Sequence, residues 1–376
     1  MTDNPVIVAV RRTPIGTTGG VFRNLGVADL AAPVLRVLAE AVSDVVVGEI
    51  VLGNIRGPGG NPARLAGLAA GVGVEVPAVS VDRQCGSGMA ALEYAFHKCR
   101  SVPGLVLAGG VQAASTQPVT IWPEGHPRAG ESFTKAPFAP TGFEDPELGI
   151  AADVLAERCG ITRERQDRYA IRSHLRAVTA QRAGVFDEEI VEVAGQSRDQ
   201  RPREGFTIER LARFRPVFRA GGTVTAANSC GVNDGAAAVA MVDHATWRSL
   251  GIPGAEVLSL CSVGCVPAWP GWGIVPAVER ALELAGIDIG QVDVVEFNEA
   301  FAAQVLACAD GLGIDETRIC IEGGAIALGH PWAASGAVIA TRLFSQIMRR
   351  GSGIGLGAIA IGGGQGTAMV VRHLDH

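Results

Sequence analysis

The residue most open to a chemical reading is Cys85, in the stretch SVDRQCGSGMAALEYAFHKC. A β-branched run ends near Asp82 and an Ala-rich helical run begins around Gly86, so the thiol stands at a strand-to-helix junction. A helix N-terminus carries partial positive charge and is expected to favour the thiolate. Gly86 and Gly88 leave space for a ligand to come close. Most single cysteines are small buried hydrophobes. It is the strand-Cys-Gly-x-Gly-helix arrangement that marks this one as a candidate nucleophile. His330, in EGGAIALGHPWAASGAVIA, is the candidate base. Pro331 suits the first turn of a helix, so the imidazole precedes a helix on a Gly-rich turn. There it can take a proton from a thiol and hold the charged pair.

Two further pieces fit the same chemistry. Asn298, in VVEFNEAFAAQ, ends an expected buried strand. Its carboxamide can orient a water or donate to an oxyanion, and it can equally cap a helix starting at Ala300. In GAIAIGGGQGTA, three glycines after a strand could offer backbone N–H groups to a developing oxyanion. No helix with GxGxxG and a suitably placed acidic residue follows, so this is not a dinucleotide fingerprint. Acyl transfer through a thioester needs a reactive thiolate, a base beside it and oxyanion donors.

The elements that must hold these residues alternate in type. Short apolar runs at 6–10, 49–55, 78–82 and 105–108 read as strands, and 27–41 and 87–99 read as helices. Apolar strands without polar alternation are those buried on both faces, which gives an α/β layout. The second part echoes the first, with strands at 256–261, 292–297, 318–321 and 357–361 and helices at 274–285, 300–312 and 333–348. LVLAGGVQ from Leu105 recurs as AIAIGGGQ from Ala358. A duplicated unit is inferred, its first half 1–113 plus 222–248 and its second half 249–376. The stretch 114–221 breaks the pattern and reads as an inserted loop domain. It opens with a Pro- and Gly-rich loop at 117–146 and continues with helices at 149–159 and 163–183. Strand periodicity is expected to resume at 222–226.

Composition narrows the classes. With 376 residues, 48% hydrophobic and 19% charged, the chain can bury a large core and is not of disordered type. A net charge of −6 makes a dedicated nucleic-acid binder a poor reading. Eight cysteines are spread along the chain without paired CxxC or His/Cys zinc spacing, so a reducing, cytoplasmic compartment is expected and no metal site. No signal peptide or membrane span is read.

Together the pieces resemble the thiolase family. RTPIGTTGG, QCGSGMAAL, GTVTAANSCGVNDGAAA, NEAFAAQ, GGAIALGHPWAASG and AIAIGGGQG match family blocks in the family order, over nearly the whole chain. The resemblance implies two βαβαβαββ-type halves in an α-β-α-β-α layering with an inserted loop domain, assembled as a homodimer or homotetramer. It implies an acyl-CoA C-acyltransferase that works through a cysteine acyl-enzyme. Coenzyme A thioesters would be its substrates, and no cofactor is needed. By matching positions, Cys85 would be acylated and His330 would activate it. Asn298, through a water, and His330 would form one oxyanion hole, with the N–H groups of Cys85 and Gly362 forming the other. Ser229 and Cys230 stand where relatives approach the pantetheine arm, and Cys230 replaces a usual serine. Arg203, among the arginines at 198, 201, 203, 210, 213, 215 and 219, is the best match to a coenzyme A contact. Guanidinium groups suit its phosphates and can stack on adenine.

The chain departs from the family in places. Most thiolases carry a second cysteine two residues before the final glycine cluster. That position is Ala360, and the NEAF loop of Asn298 to Phe301 carries no cysteine either. A second acid/base must handle the α-carbon proton, and losing one typically costs about 10²–10⁴-fold in rate. Cys230 and Cys320 are the substitutes considered, with Cys230 favoured. Without a substitute, the chain would keep acyl transfer or thioester hydrolysis alone. A silent acyl-CoA-binding partner subunit is the remaining alternative, which retention of Cys85, His330 and Asn298 argues against. Leu148 replaces a family methionine at the start of the loop-domain helix. Trp269 and Trp272 flank a block that differs from the family and could reshape the acyl pocket.

Overall fold

A computed structural model describes residues 4–57, 60–133 and 137–375. The first part runs β1 (Val6–Arg12), β2 (Gly16–Thr17), α1 (Val27–Ala41), β3 (Val47–Gly53), α2 (Pro62–Ala70), β4 (Ala78–Val81), α3 (Ser87–Ser101) and β5 (Leu105–Gln112). A central stretch holds β6 (Thr120–Ile121), β7 (Ser132–Phe133), α4 (Leu148–Arg158), α5 (Arg163–Arg182) and α6 (Ile208–Leu211). Then come β8 (Asn233–Val242), α7 (His244–Leu250), β9 (Gly254–Gly264), α8 (Ile274–Ala285), β10 (Val294–Phe297), α9 (Ala302–Leu312), α10 (Ala325–Leu328), α11 (Ser335–Arg350), β11 (Ile354–Ile361) and β12 (Gln365–Leu374).

The principal sheet has the order β10-β11-β12-β9-β1-β8-β5-β3-β4, with β2 paired to β8. Outward from its centre, both directions give antiparallel strands first. Parallel pairs follow: β5 with β3 and β3 with β4 on one side, β10 with β11 on the other. Parallel neighbours need crossover helices, which cover both faces and explain the continuous apolar strands.

Helices α3 and α11 carry one core. Met89, Leu92 and Phe96 of α3 and Ile339, Leu343 and Ile347 of α11 pack with Ile7, Val51 and Val239 from one half of the sheet. The same cluster takes in Val257, Ile359 and Met369 from the other half. The two half-sheets therefore fold over one shared helical layer. Leu30, Val34 and Leu38 of α1 pack with α2 on the outer face of the β1-β8-β5-β3 side. Val275 and Val278 of α8 pack with Val305 and Leu306 of α9 on the outer face of the other side. The result is a layered α/β fold with helices on both outer faces and a shared helical layer between the two half-sheets.

The central stretch is pinned by buried charge. Arg12 of β1 donates to Glu189 at 2.8 Å and to Asp199 at 2.7 Å, and Arg342 of α11 also holds Glu189. Burial works to raise the Glu189 carboxyl, but Arg342 and Arg12 outweigh it and hold the group below its ordinary range. Asp153 of α4 accepts from the backbone N–H groups of Thr223 and Val224 at 2.6 and 3.0 Å.

Two expectations fail locally. Residues 318–321 form no strand: a 3-10 turn spans Glu316–Arg318, Ile319 makes an isolated bridge to Val295, and Cys320 has φ +49°. The strand expected at 222–226 is a turn region holding a single bridge from Thr225 to Pro216. The strand that follows, β8, begins only at Asn233 and is wholly buried. No described helix is long and apolar enough to cross a membrane.

Candidate active site

The junction before α3 is built by local hydrogen bonds. Gln84 takes a left-handed φ of +47°, uncommon for a residue with a side chain. Its N–H donates to Asp82 Oδ1 at 2.7 Å, an Asx-type turn that favours this geometry. Ser87 Oγ accepts from Arg83 N–H at 2.9 Å and donates to Gln84 C=O at 2.6 Å. Cys85 is thus held in a sharp elbow, two residues ahead of the first helical residue.

The elbow does not produce a resting thiolate. Burial pushes the Cys85 thiol up to about 12, and Asp82 adds to the shift while the backbone N–H of Cys85 opposes it. A helix terminus contributes at most about 2 kcal/mol, and here desolvation wins. The expectation of a helix-stabilised thiolate is corrected accordingly.

His330 sits on the loop between α10 and α11. Its N–H donates to Asn233 Oδ1 at 2.9 Å, and a bridge joins it to Val232. Nδ1 lies 2.6 Å from Ser335 Oγ, and Nε2 lies 3.5 Å from Asn298 Nδ2. An amide donor facing Nε2 calls for the tautomer with its proton on Nδ1, donated to Ser335. Nε2 then keeps a lone pair. Burial pushes the imidazole down to about 4, so it is neutral at rest. A 3-10 turn, Trp332–Ala334, stands between His330 and α11.

Asn298 is not a helix cap. Its backbone N–H donates to Ala358 C=O at 2.9 Å and extends the β10–β11 ladder. Helix α9 starts at Ala302 with Phe301 as its N-cap, which leaves the carboxamide of Asn298 to His330.

Cys85 and His330 meet at a cavity of about 230 Å³, while Asn298 stands behind His330 and is not part of its lining. Cys85, His330, Ser229, Cys230, Leu148 and Gly362 all line it. Ala360 contributes a methyl group to the same wall, and Phe218, Phe301 and Trp332 add aromatic surface. Phe138, from the long loop, lies over Gly362, where a Cβ would fall 2.9 Å from its ring.

Several expected residues stand elsewhere. Trp269 stacks beneath Arg158 at 3.9 Å, and Trp272 packs on Gly311 of α9. The wall between them is made by Pro270 and Gly271 instead, so neither indole shapes the cavity. Cys320 is buried with its Sγ 3.2 Å from Phe297 C=O, away from the cavity lining. Arg203 lines a second cavity, of about 290 Å³, with His174, Arg201, Arg210, Phe206 and Phe214. Arg201 links the two sites: it lines the second and donates to the carbonyl of Ser229, in the first, at 3.1 Å. Arg219, another of the arginine run, is paired with Glu157 at 2.7 Å.

The sequence reading missed Ser335, Asn233 and the elbow at Gln84. An Asp two residues ahead of Gln84 was the available signal for the turn. Nothing in the sequence marked Phe138.

Comparison with known proteins agrees with this geometry. Residues 5–245 match the thiolase N-terminal domain and residues 252–373 the thiolase C-terminal domain. The chain is 39% identical to the acetyl-CoA acetyltransferase of Pseudomonas aeruginosa, over 97% of this chain and 98% of the relative. It is 37% identical to that of Escherichia coli, over 99% and 100%. The crystal structure of the Bacillus anthracis acetyl-CoA acetyltransferase superposes with a TM-score of 0.91 at 34% identity, covering 99% of each chain. The chain belongs to the thiolase family.

Proposed function

We propose that this protein is an acyl-CoA C-acyltransferase that cleaves 3-ketoacyl-CoA with coenzyme A, or condenses acyl-CoAs, through an acyl group carried on Cys85. The observation that supports this best is the meeting of Cys85, His330 and Gly362 at one largely apolar cavity, with Asn298 set against His330 Nε2. The lone pair on Nε2 takes the Cys85 proton, and the thiolate attacks the carbonyl carbon. The oxyanion formed is met by donors from Asn298, from protonated His330 and from the backbone at Cys85 and Gly362. A neutral resting pair suits a site that charges only when a thioester displaces water.

Coenzyme A is placed across both cavities. Its acyl end lies with Cys85, its pantetheine arm passes Ser229 and Cys230, and its phosphates and adenine meet Arg203, Arg210 and Phe206. Cationic and aromatic side chains together suit that end of the molecule. Eight unpaired cysteines fit a reducing compartment such as the cytoplasm. A homodimer is proposed because β4 is an edge strand whose free ladder a second copy can complete.

The Ala360 methyl in the cavity wall favours a second reading, acyl transfer without carbon–carbon chemistry. Thiolysis of acetoacetyl-CoA and of a longer 3-ketoacyl-CoA tests the two, with intact-mass detection of acylated Cys85 and Ala360→Cys alongside. Cleavage at ordinary enzyme rates is expected. Acylation with cleavage appearing only in Ala360→Cys would support the second reading, and absence of acylation would overturn both.

A further inference from the structure

We infer that Cys230 is the acid/base that handles the proton on the substrate α-carbon, an inference that rests on the acyltransferase reading above. Making or breaking a carbon–carbon bond beside a thioester needs a group that takes or gives that proton. Among the described residues lining the cavity, the side chains able to exchange a proton in this way are Cys85, Cys230 and His330. Cys85 is tied up in the acyl-enzyme when the α-carbon reacts. His330 holds the proton that Cys85 released. Cys230 remains.

The fold fixes Cys230 against both partners. Ser229 bridges Phe301 on the loop after Asn298, Cys230 N–H donates to Ala300 C=O at 3.0 Å, and Val232 bridges His330. The cysteine is thus clamped between the loop carrying Asn298 and the loop carrying His330. Burial pushes its thiol up to about 12, with Arg201 opposing, so it rests protonated and ready to donate.

In thiolysis the protons balance. Cys85 gives its proton to His330 Nε2 and attacks the 3-keto carbonyl. The bond between the carbonyl carbon and the α-carbon breaks, its electron pair stays on the α-carbon, and that carbon takes the proton of Cys230. The Cys230 thiolate then takes the proton of coenzyme A. The coenzyme A thiolate attacks the acyl group on Cys85, and the expelled Cys85 thiolate recovers its proton from His330. Condensation is the same sequence reversed.

Two readouts separate this role from a structural one: acylation of Cys85 by acetyl-CoA, seen by intact mass, and deuterium uptake into the acetyl methyl group in D₂O. The native protein is expected to show both. In Cys230→Ser, deuterium uptake and thiolysis, each taken relative to the acylation rate of the same variant, should fall by about 10²–10⁴-fold. Cys320→Ala should keep both. If Cys230→Ser is poorly folded, Cys230→Ala takes its place, and Ala360→Cys added to whichever variant folds should restore uptake by returning a thiol to the cavity wall. Undiminished uptake in Cys230→Ser overturns the proposal. Acylation without uptake in the native protein also overturns it and leaves acyl transfer standing. Absence of acylation in the native protein overturns the acyltransferase reading and this proposal with it.

Discussion

The backbones of Gly88 and Gly336 lie in contact where α3 and α11 begin. A Cβ on Gly336 would fall 2.4 Å from Met89 N, and one on Gly88 would fall 2.9 Å from Ala337 N. Cys85 precedes the first helix and His330 the second, so this contact sets how near the thiol and the imidazole can come. Gly336→Ala should destabilise the protein by about 1–3 kcal/mol, as overpacking does. Acylation of Cys85 should slow further, since a shift of about 1 Å at reacting groups can cost about 10²-fold. Urea unfolding and acylation rates measured on one preparation check this, and an unchanged acylation rate would argue against the helix contact as the positioning device.

The resting state of Cys85 makes a pH prediction. With its thiol pushed up to about 12 and His330 pushed down to about 4, the free protein holds a neutral pair. Below the thiol pKa, the thiolate fraction rises tenfold per pH unit. Alkylation of Cys85 by iodoacetamide should therefore keep climbing between about pH 6 and 9. A plateau across that range would show a standing thiolate–imidazolium pair.

Asn298 faces His330 from 3.5 Å and has no capping duty. Asn298→Ala should lower kcat for acetoacetyl-CoA thiolysis by about 10²–10³-fold, the typical effect of removing an oxyanion donor. Steady-state kinetics decide the point, and a change confined to KM would move Asn298 from chemistry to binding.

Arg203 lies in the cationic, aromatic cavity beside the one that holds Cys85. Arg203→Ala should raise KM for coenzyme A about ten- to a hundredfold, the scale of a lost charged hydrogen bond. KM for dephospho-coenzyme A should change less if the guanidinium meets the 3′-phosphate. Equal losses for both substrates would place Arg203 at the pyrophosphate instead.

Glu189 is held by Arg12 and Arg342 with under a tenth of any partner exposed. Glu189→Gln leaves two buried cations short of charge and should cost about 3–5 kcal/mol at neutral pH. Its folded pKa lies below the unfolded value, so its stabilisation is complete above the carboxylate range and fades as pH falls through it. The gap between native and variant in urea titrations should accordingly be wider at pH 7 than at pH 4.

What could be read in advance divides along physical lines. Residues 27–41 and 274–285 coincide with α1 and α8 because their apolar period and Ala content leave one answer. Strand β8 was missed because Gly235 to Ala240 is an Ala-rich run with the composition of a helix. It is a strand because α1 and α11 press on it from both sides, where small side chains are needed. The apolar run around Cys320 suggested a strand, but a left-handed backbone there turns the chain. Cys85 and His330 stood out by their neighbours in sequence, and Cys230 by replacing the serine of a family block. Ser335 and Asn233 did not, since hydrogen bonds to an imidazole leave no pattern along the chain. The helix terminus beside Cys85 was visible, but the desolvation that overrides it depends on residues far away in sequence. Trp269 and Trp272 were near the right place, and only the direction of each ring decided against them.

The ladder between Val6 and Glu256 and between Ile7 and Ala255 has a consequence for motion. Proteins built as two lobes on a linker can open and shut around a ligand like a clamshell. Here the two halves share one sheet and one pair of inner helices, so strand hydrogen bonds and a common core tie them directly together. A thioester therefore enters a cavity that both halves already wall, rather than one formed by two lobes closing on it.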